Sequence, residues 1–128
     1  MANDTQMVKG ILEGCILKII SKEELYGYKT VERLNEIGFE VNEATVYPIL
    51  TRLENKGHLK VEKRPSPLGP MRKYYFLTQE GQIYLKAFQE TWQQIIKMVN
   101  EVMEGDDHGS QFNFMAGADT AELLCNQA

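Results

Sequence analysis

Asn42-Glu43-Ala44-Thr45-Val46-Tyr47-Pro48-Ile49-Leu50-Thr51-Arg52-Leu53-Glu54 carries its apolar residues on one side only. Val46, Ile49, Leu50 and Leu53 stand at i, i+3, i+4 and i+7, which is a single buried stripe on a helix. Asn42 suits the cap position and Gly57 lies just past the last turn, so the spacing predicts a helix over 43–56. The opposite side holds Ala44, Tyr47, Pro48, Thr51, Arg52 and Asn55. Those groups suit close approach to base edges, where a methyl meets thymine's methyl and a hydroxyl or amide bonds in either direction. Pro48 removes one helical hydrogen bond and predicts a kink.

Upstream, Met7, Val8, Ile11, Leu12, Cys15, Ile16, Ile19 and Ile20 recur at three- and four-residue steps, predicting a helix over 7–20. A second helix is expected over 26–37, with Val31, Leu34 and Ile37 on its apolar side and Gly38 ending it. Downstream, residues 59–64 alternate as a strand does, Pro65-Ser66-Pro67-Leu68-Gly69-Pro70 reads as a loop, and 72–77 is the returning strand of a hairpin. Tyr74, Tyr75, Phe76 and Leu77 are all apolar enough to leave the buried face of that strand open. Three helices followed by a hairpin is the order of a winged helix-turn-helix, so the expected class is mainly α with a small β-hairpin.

Thr78 is placed to cap a fourth helix reaching about residue 104. Within it Leu85, Trp92 and Val99 are seven apart, as are Phe88, Ile95 and Val102, which makes an a/d seam. At 1.5 Å per residue this helix is about 40 Å long, too long for a small domain to cover, so a partner helix is implied. The expected organisation is a winged helix-turn-helix over 1–77, a dimerisation helix over 78–104 and an acidic, disordered tail over 105–128.

The chain is 128 residues long with a formal charge of −4, yet the charge is unevenly placed. Between Ala44 and Leu77 there are seven cations, Arg52, Lys56, Lys60, Lys63, Arg64, Arg72 and Lys73, against Glu54 and Glu62. The stretch 106–128 has four acidic residues and no cation. A basic middle in an acidic chain is the footprint of a phosphate-facing surface, and the partner expected from it is double-stranded DNA.

The residues Tyr26-Gly27-Tyr28, the stretch from Asn42 to Glu54 with its helical proline, and Gly69-Pro70-Met71-Arg72-Lys73-Tyr74-Tyr75-Phe76-Leu77-Thr78 with Gly81 resemble the PadR family of transcriptional regulators. The likeness spans roughly 7–104, and the single C-terminal helix is similar to the family's short subfamily. The resemblance implies a homodimeric, DNA-binding repressor on an inverted-repeat operator. It places Tyr47, Thr51 and Arg52 on the recognition helix and Arg64, Arg72, Lys73 and Tyr74 on the wing, where Lys63 stands beside them. The seam of Leu85, Phe88, Trp92, Ile95, Val99 and Val102 becomes the dimerisation surface. In one short-subfamily member, a tryptophan on the C-terminal helix stacks on flat aromatic ligands, and Trp92 stands at the matching place. That member's acidic residue one turn later is Ile96 here, which implies a neutral aromatic or apolar effector, with Leu12, Cys15 and Phe88 as companions.

Plainer readings stand beside these. Trp92 at an a position is first a seam residue, and Cys15 on an apolar face behaves as a small hydrophobe. Two cysteines and two histidines show no metal spacing, and no cofactor is expected. No nucleophile elbow or phosphate-cradling glycine loop appears, so an enzyme is not expected. No apolar run approaches the ~20 residues of a membrane span and no secretion signal is present, which makes a cytoplasmic protein the expectation. The competing reading is a winged helix used only for protein–protein contact, which predicts a weakly charged third helix and a neutral wing.

Overall fold

The computed structural model describes residues 5–105, with side-chain surroundings from Met7 onward; the expected tail over 106–128, with His108 and Cys125, lies outside the described residues. The order is α1 (Thr5–Lys22), β1 (Leu25–Tyr26), α2 (Gly27–Ile37), α3 (Glu43–Asn55), β2 (Leu59–Ser66), β3 (Gly69–Leu77) and α4 (Gln79–Glu104). The chain is mainly α, with a small antiparallel sheet in the order β1-β3-β2. It divides into two compact units, one ending at Lys86 and one beginning at Ala87.

The first unit is built on the stripe of α3. Val46, Ile49, Leu50 and Leu53 are all buried, and they meet Leu12, Ile16 and Leu17 of α1, Leu34 of α2 and Leu59 of β2 in one core. Leu85 of α4 joins the same core. The Asn42 side chain accepts from the Thr45 backbone N–H at 3.1 Å, as a cap should. Gly38 closes α2 at φ 130°, a conformation open to glycine. Between α2 and α3, the Asn35 amide donates to the carbonyls of Val31 and Val41, both at 2.9 Å, which holds the helix-turn-helix corner. The helix α3 continues through Pro48, which is exposed and has no N–H to give to the Ala44 carbonyl.

Two features differ from expectation. The six residues 65–70 are not all loop: the strands extend to Ser66 and from Gly69, leaving Pro67-Leu68 as the turn. The ladder shifts register between Arg64 and Ser66, which passes over Pro65, the residue with no N–H to give. The short strand β1 is also new. Leu25 stands opposite Tyr75 and Tyr26 opposite Tyr74, and two residues are too few for alternation to reveal. The open question of the buried face is answered by period two. Leu59, Val61, Tyr75 and Leu77 turn toward the helices, while Lys60, Glu62, Tyr74 and Phe76 turn away.

The start of α4 is fastened to the end of α3. Thr78 Oγ1 donates to the Gly57 carbonyl at 2.6 Å and accepts from the Gly81 N–H at 3.0 Å, while the Thr78 N–H donates to the His58 carbonyl at 3.1 Å. A Cβ on Gly81 would lie 2.1 Å from that same carbonyl oxygen, so only glycine fits. Beyond this junction, α4 carries an apolar seam whose exposure rises from Leu85, which is buried, through Ile95 at 40% to Val102 at 74%.

Candidate nucleic-acid interface

The exposed side of α3 bears the expected residues: Ala44, Tyr47, Pro48, Thr51, Arg52 and Asn55 are all exposed. Tyr47 and Thr51 form one wall of an open groove of about 600 Å³. Tyr26, Gly27 and Tyr28 at the start of α2 form the second wall, and Arg72, Lys73 and Tyr75 of β3 the third. Four phenols and two cations therefore surround a cleft between the third helix and the hairpin. Gly27 makes the corner possible, because a Cβ there would stand 2.9 Å from the ring of Tyr47. No side chain caps α2, so its first-turn N–H groups add positive potential at this wall. Partial burial, then Glu43 and Tyr28, push the Tyr47 phenol above its ordinary value of 10, so its hydroxyl remains a donor at neutral pH.

The hairpin cations do not act as one patch. Lys63 stands directly opposite Lys73, on the face that turns toward α3. Neither side chain has a hydrogen bond or ion pair among the described residues. Like charges in direct cross-strand register repel, so an anion laid between them is favoured. Arg64 stands opposite Arg72 on the far face, with Tyr74. Arg64 is already engaged there: it donates to Glu24 at 2.8 Å and Glu62 at 3.0 Å, and it lies over the rings of Tyr74 and Phe76 at 5.0 and 5.2 Å. Arg72 lies 4.4 Å over the Tyr26 ring, at the lip of the groove.

Arg52 also departs from its neighbours on α3. Its guanidinium donates to Glu13 of α1 at 2.7 Å, and Lys56 stands 3.9 Å from the other oxygen of that carboxylate. The Glu13 side chain is only 16% exposed, so Arg52 holds α3 to α1 as well as lining the outer side. Glu13 was not a candidate from sequence, where it reads as one charge on an amphipathic helix.

The residues expected to hold an effector fall in different units. Leu12 is fully buried in the core of the first unit, and Cys15 beside it is half-buried, with its thiol pushed up by burial. Phe88, Trp92 and Ile96 follow at one-turn steps along α4, all half-buried. Among the described residues no cluster of side chains suits a metal ion, and no helix is long and apolar enough to cross a membrane.

Comparison with known proteins points one way. Residues 16–87 match the model of the Transcriptional regulator PadR-like family. A PadR-like transcriptional regulator from Bacillus cereus is 43% identical with a TM-score of 0.71, the match covering 79% of this chain and 99% of that one. A transcriptional regulator from Streptococcus is 40% identical with a TM-score of 0.71, covering 78% and 99%. An uncharacterized protein of Lysinibacillus sphaericus is 29% identical over 104 residues, 79% of this chain and 95% of that protein.

Proposed function

The chain belongs to the PadR-like family of transcriptional regulators, and on that premise we propose that it is a homodimeric repressor that reads an inverted-repeat operator and is released by a small aromatic or apolar molecule. It is a DNA-binding regulator and not an enzyme. The observation that supports the finer reading is the tyrosine-lined groove between the exposed side of α3 and the hairpin, with Arg72 and Lys73 on its wall and the unpartnered Lys63 in register opposite Lys73. In this reading Ala44, Tyr47, Pro48, Thr51 and Asn55 enter the major groove, while Lys63, Lys73 and Arg72 hold the adjoining phosphates. Arg52, Arg64 and Tyr74 contribute from behind, because each is engaged within the chain.

Dimerisation through the seam of Leu85, Phe88, Trp92, Ile95, Val99 and Val102 is supported by the exposure of its later members, which a second copy would cover. Two half-sites about 34 Å apart follow from twofold docking. An effector seated at Trp92, with Phe88 and Ile96 on the same face, would change the angle between the two α4 helices and move the reading heads apart. A cytoplasmic location goes with this role.

The test is an anisotropy titration against the duplex upstream of the protein's own gene, with Trp92 emission followed as planar aromatic compounds are added. Salt-sensitive binding that weakens as Trp92 is quenched is the expected result. Binding with no tryptophan response removes the effector site from Trp92. Absence of binding to any duplex returns the fold to a protein-contact role.

A further inference from the structure

We propose that the wing tip is an apolar wedge that presses into the minor groove and opens a base step beside each half-site. The proposal rests on the DNA-binding reading above and names a further element of it. Leu68, at the turn between β2 and β3, is 98% exposed. It is followed by Gly69 and Pro70 and preceded by Pro67, and Met71 next to them is also exposed. A two-residue hairpin turn in water is ordinarily built from glycine, asparagine or aspartate. Here the positions farthest from the core are proline and leucine instead.

Three properties make this tip suited to DNA. Pro65, Pro67 and Pro70 fix φ at three of six positions, so little conformational freedom is left to lose on contact. They also carry no N–H, so the tip leaves water with fewer donors to strand. Third, the unpartnered Lys63 and Lys73 each lie five residues from Leu68 on the same hairpin. At about 3.3 Å per residue the tip then projects up to roughly 16 Å past the lysines. A minor groove is about 7.5 Å deep, so lysines resting on the phosphate ridge leave the tip enough reach to touch its floor. Apolar side chains inserted there unstack a step and bend the duplex toward the major groove. A pyrimidine–purine step is the one that yields most easily.

The experiment begins with selection of duplexes from a random pool by the full-length protein. The selected duplex, carrying a donor and acceptor dye at its ends, reports bending, and 2-aminopurine placed beside the half-site reports unstacking. Leu68→Ala is expected to weaken binding roughly ten- to hundredfold, the equivalent of one buried leucine side chain. It should also reduce the bend and the 2-aminopurine signal, and leave the salt slope as it was. Lys73→Gln should do the reverse, flattening the slope while the bend persists at saturation. A Leu68→Ala protein that binds and bends the selected duplex like the parent overturns the wedge and leaves DNA binding intact. Failure to select any duplex overturns both. Loss of self-association in Leu68→Ala without DNA assigns the tip to a protein contact and overturns the wedge. Because Leu68 touches no core residue, Leu68→Lys provides a second folded variant, which should bind while losing the bend.

Discussion

Replacing Lys63 or Lys73 by Gln separates the work of the hairpin in solution from its work on DNA. The two ammonium groups stand in direct register, unpartnered, so the free protein carries their repulsion. Removing either is expected to stabilise it by about 0.2–1 kcal/mol, the range for cross-strand charge pairs. For a domain of this size that is a rise in Tm of roughly 1–6 °C. On DNA the sign reverses. In the proposed dimer each substitution removes two of the proposed phosphate contacts, which flattens the slope of log K against log salt by about 1.8 for one variant and 3.6 for the double variant. Raising salt from 50 to 200 mM then costs the parent about 12-fold more affinity than the single variant, and about 150-fold more than the double. Anisotropy titrations at four salt concentrations, beside thermal melts of the free protein, measure both quantities. Arg64→Gln is the control, since Glu24 and Glu62 already neutralise that guanidinium. If Arg64→Gln flattens the slope as far as the lysine variants do, or if the lysine variants melt lower than the parent, the division of the hairpin into a free face and an engaged face is wrong.

Gly81→Ala should lose about 3 kcal/mol or more in urea unfolding, because its Cβ meets the His58 carbonyl and backbone cannot yield as a side chain can. Gly27→Ala is expected to be mild in stability, within about 1 kcal/mol, because the Tyr47 ring can move away. It should weaken operator binding more than it weakens the fold, which paired titrations and melts will show. Glu13→Gln should destabilise by about 1–3 kcal/mol, since Arg52 loses its charged partner, and a denaturant midpoint checks it. Alkaline titration gives a further outcome. Burial first, with nearby Glu54 and Glu13 respectively, raises Tyr75 and Tyr84 above the ordinary phenol value of 10. The unfolded chain therefore releases these protons first, so their contribution is whole below pH 10 and is lost as pH rises through the folded values. Stability measured at pH 9, 10 and 11 should fall only over the last interval.

The helices were legible because burial on one side of a helix writes itself at steps of three and four. The stripe Val46, Ile49, Leu50, Leu53 and the cap at Asn42 needed no tertiary information. The helix α4 was legible for the same reason. What stayed hidden depends on partners far away in sequence. The strand β1 exists because Leu25 and Tyr26 meet Tyr75 and Tyr74, some 50 residues on, and a two-residue strand has no period. The separation of Lys63 and Lys73 from Arg64 and Arg72 follows from alternation, yet it acquires meaning only once Tyr75 is known to face inward. Arg52 looked free to read bases because nothing in its neighbourhood along the chain announces Glu13. The Tyr26-Gly27-Tyr28 signature was visible as a motif, whereas its purpose as a groove wall lies in the contact between Gly27 and Tyr47.

The fastening of Thr78, His58 and Gly81 gives α3 the character of a lever arm with no play at its fulcrum. Any turn of the base of α4 passes to the last turn of α3 through the two hydrogen bonds from Thr78 to Gly57 and His58 and the Gly81–His58 carbonyl contact. From that fulcrum the thirteen residues of α3 reach about 20 Å to its other end. A turn of roughly 5° there moves the far end by about 1.7 Å, half the 3.4 Å rise between successive bases of a strand. If the proposed effector acts by turning α4, Thr78→Ala should leave DNA affinity in place and remove that response.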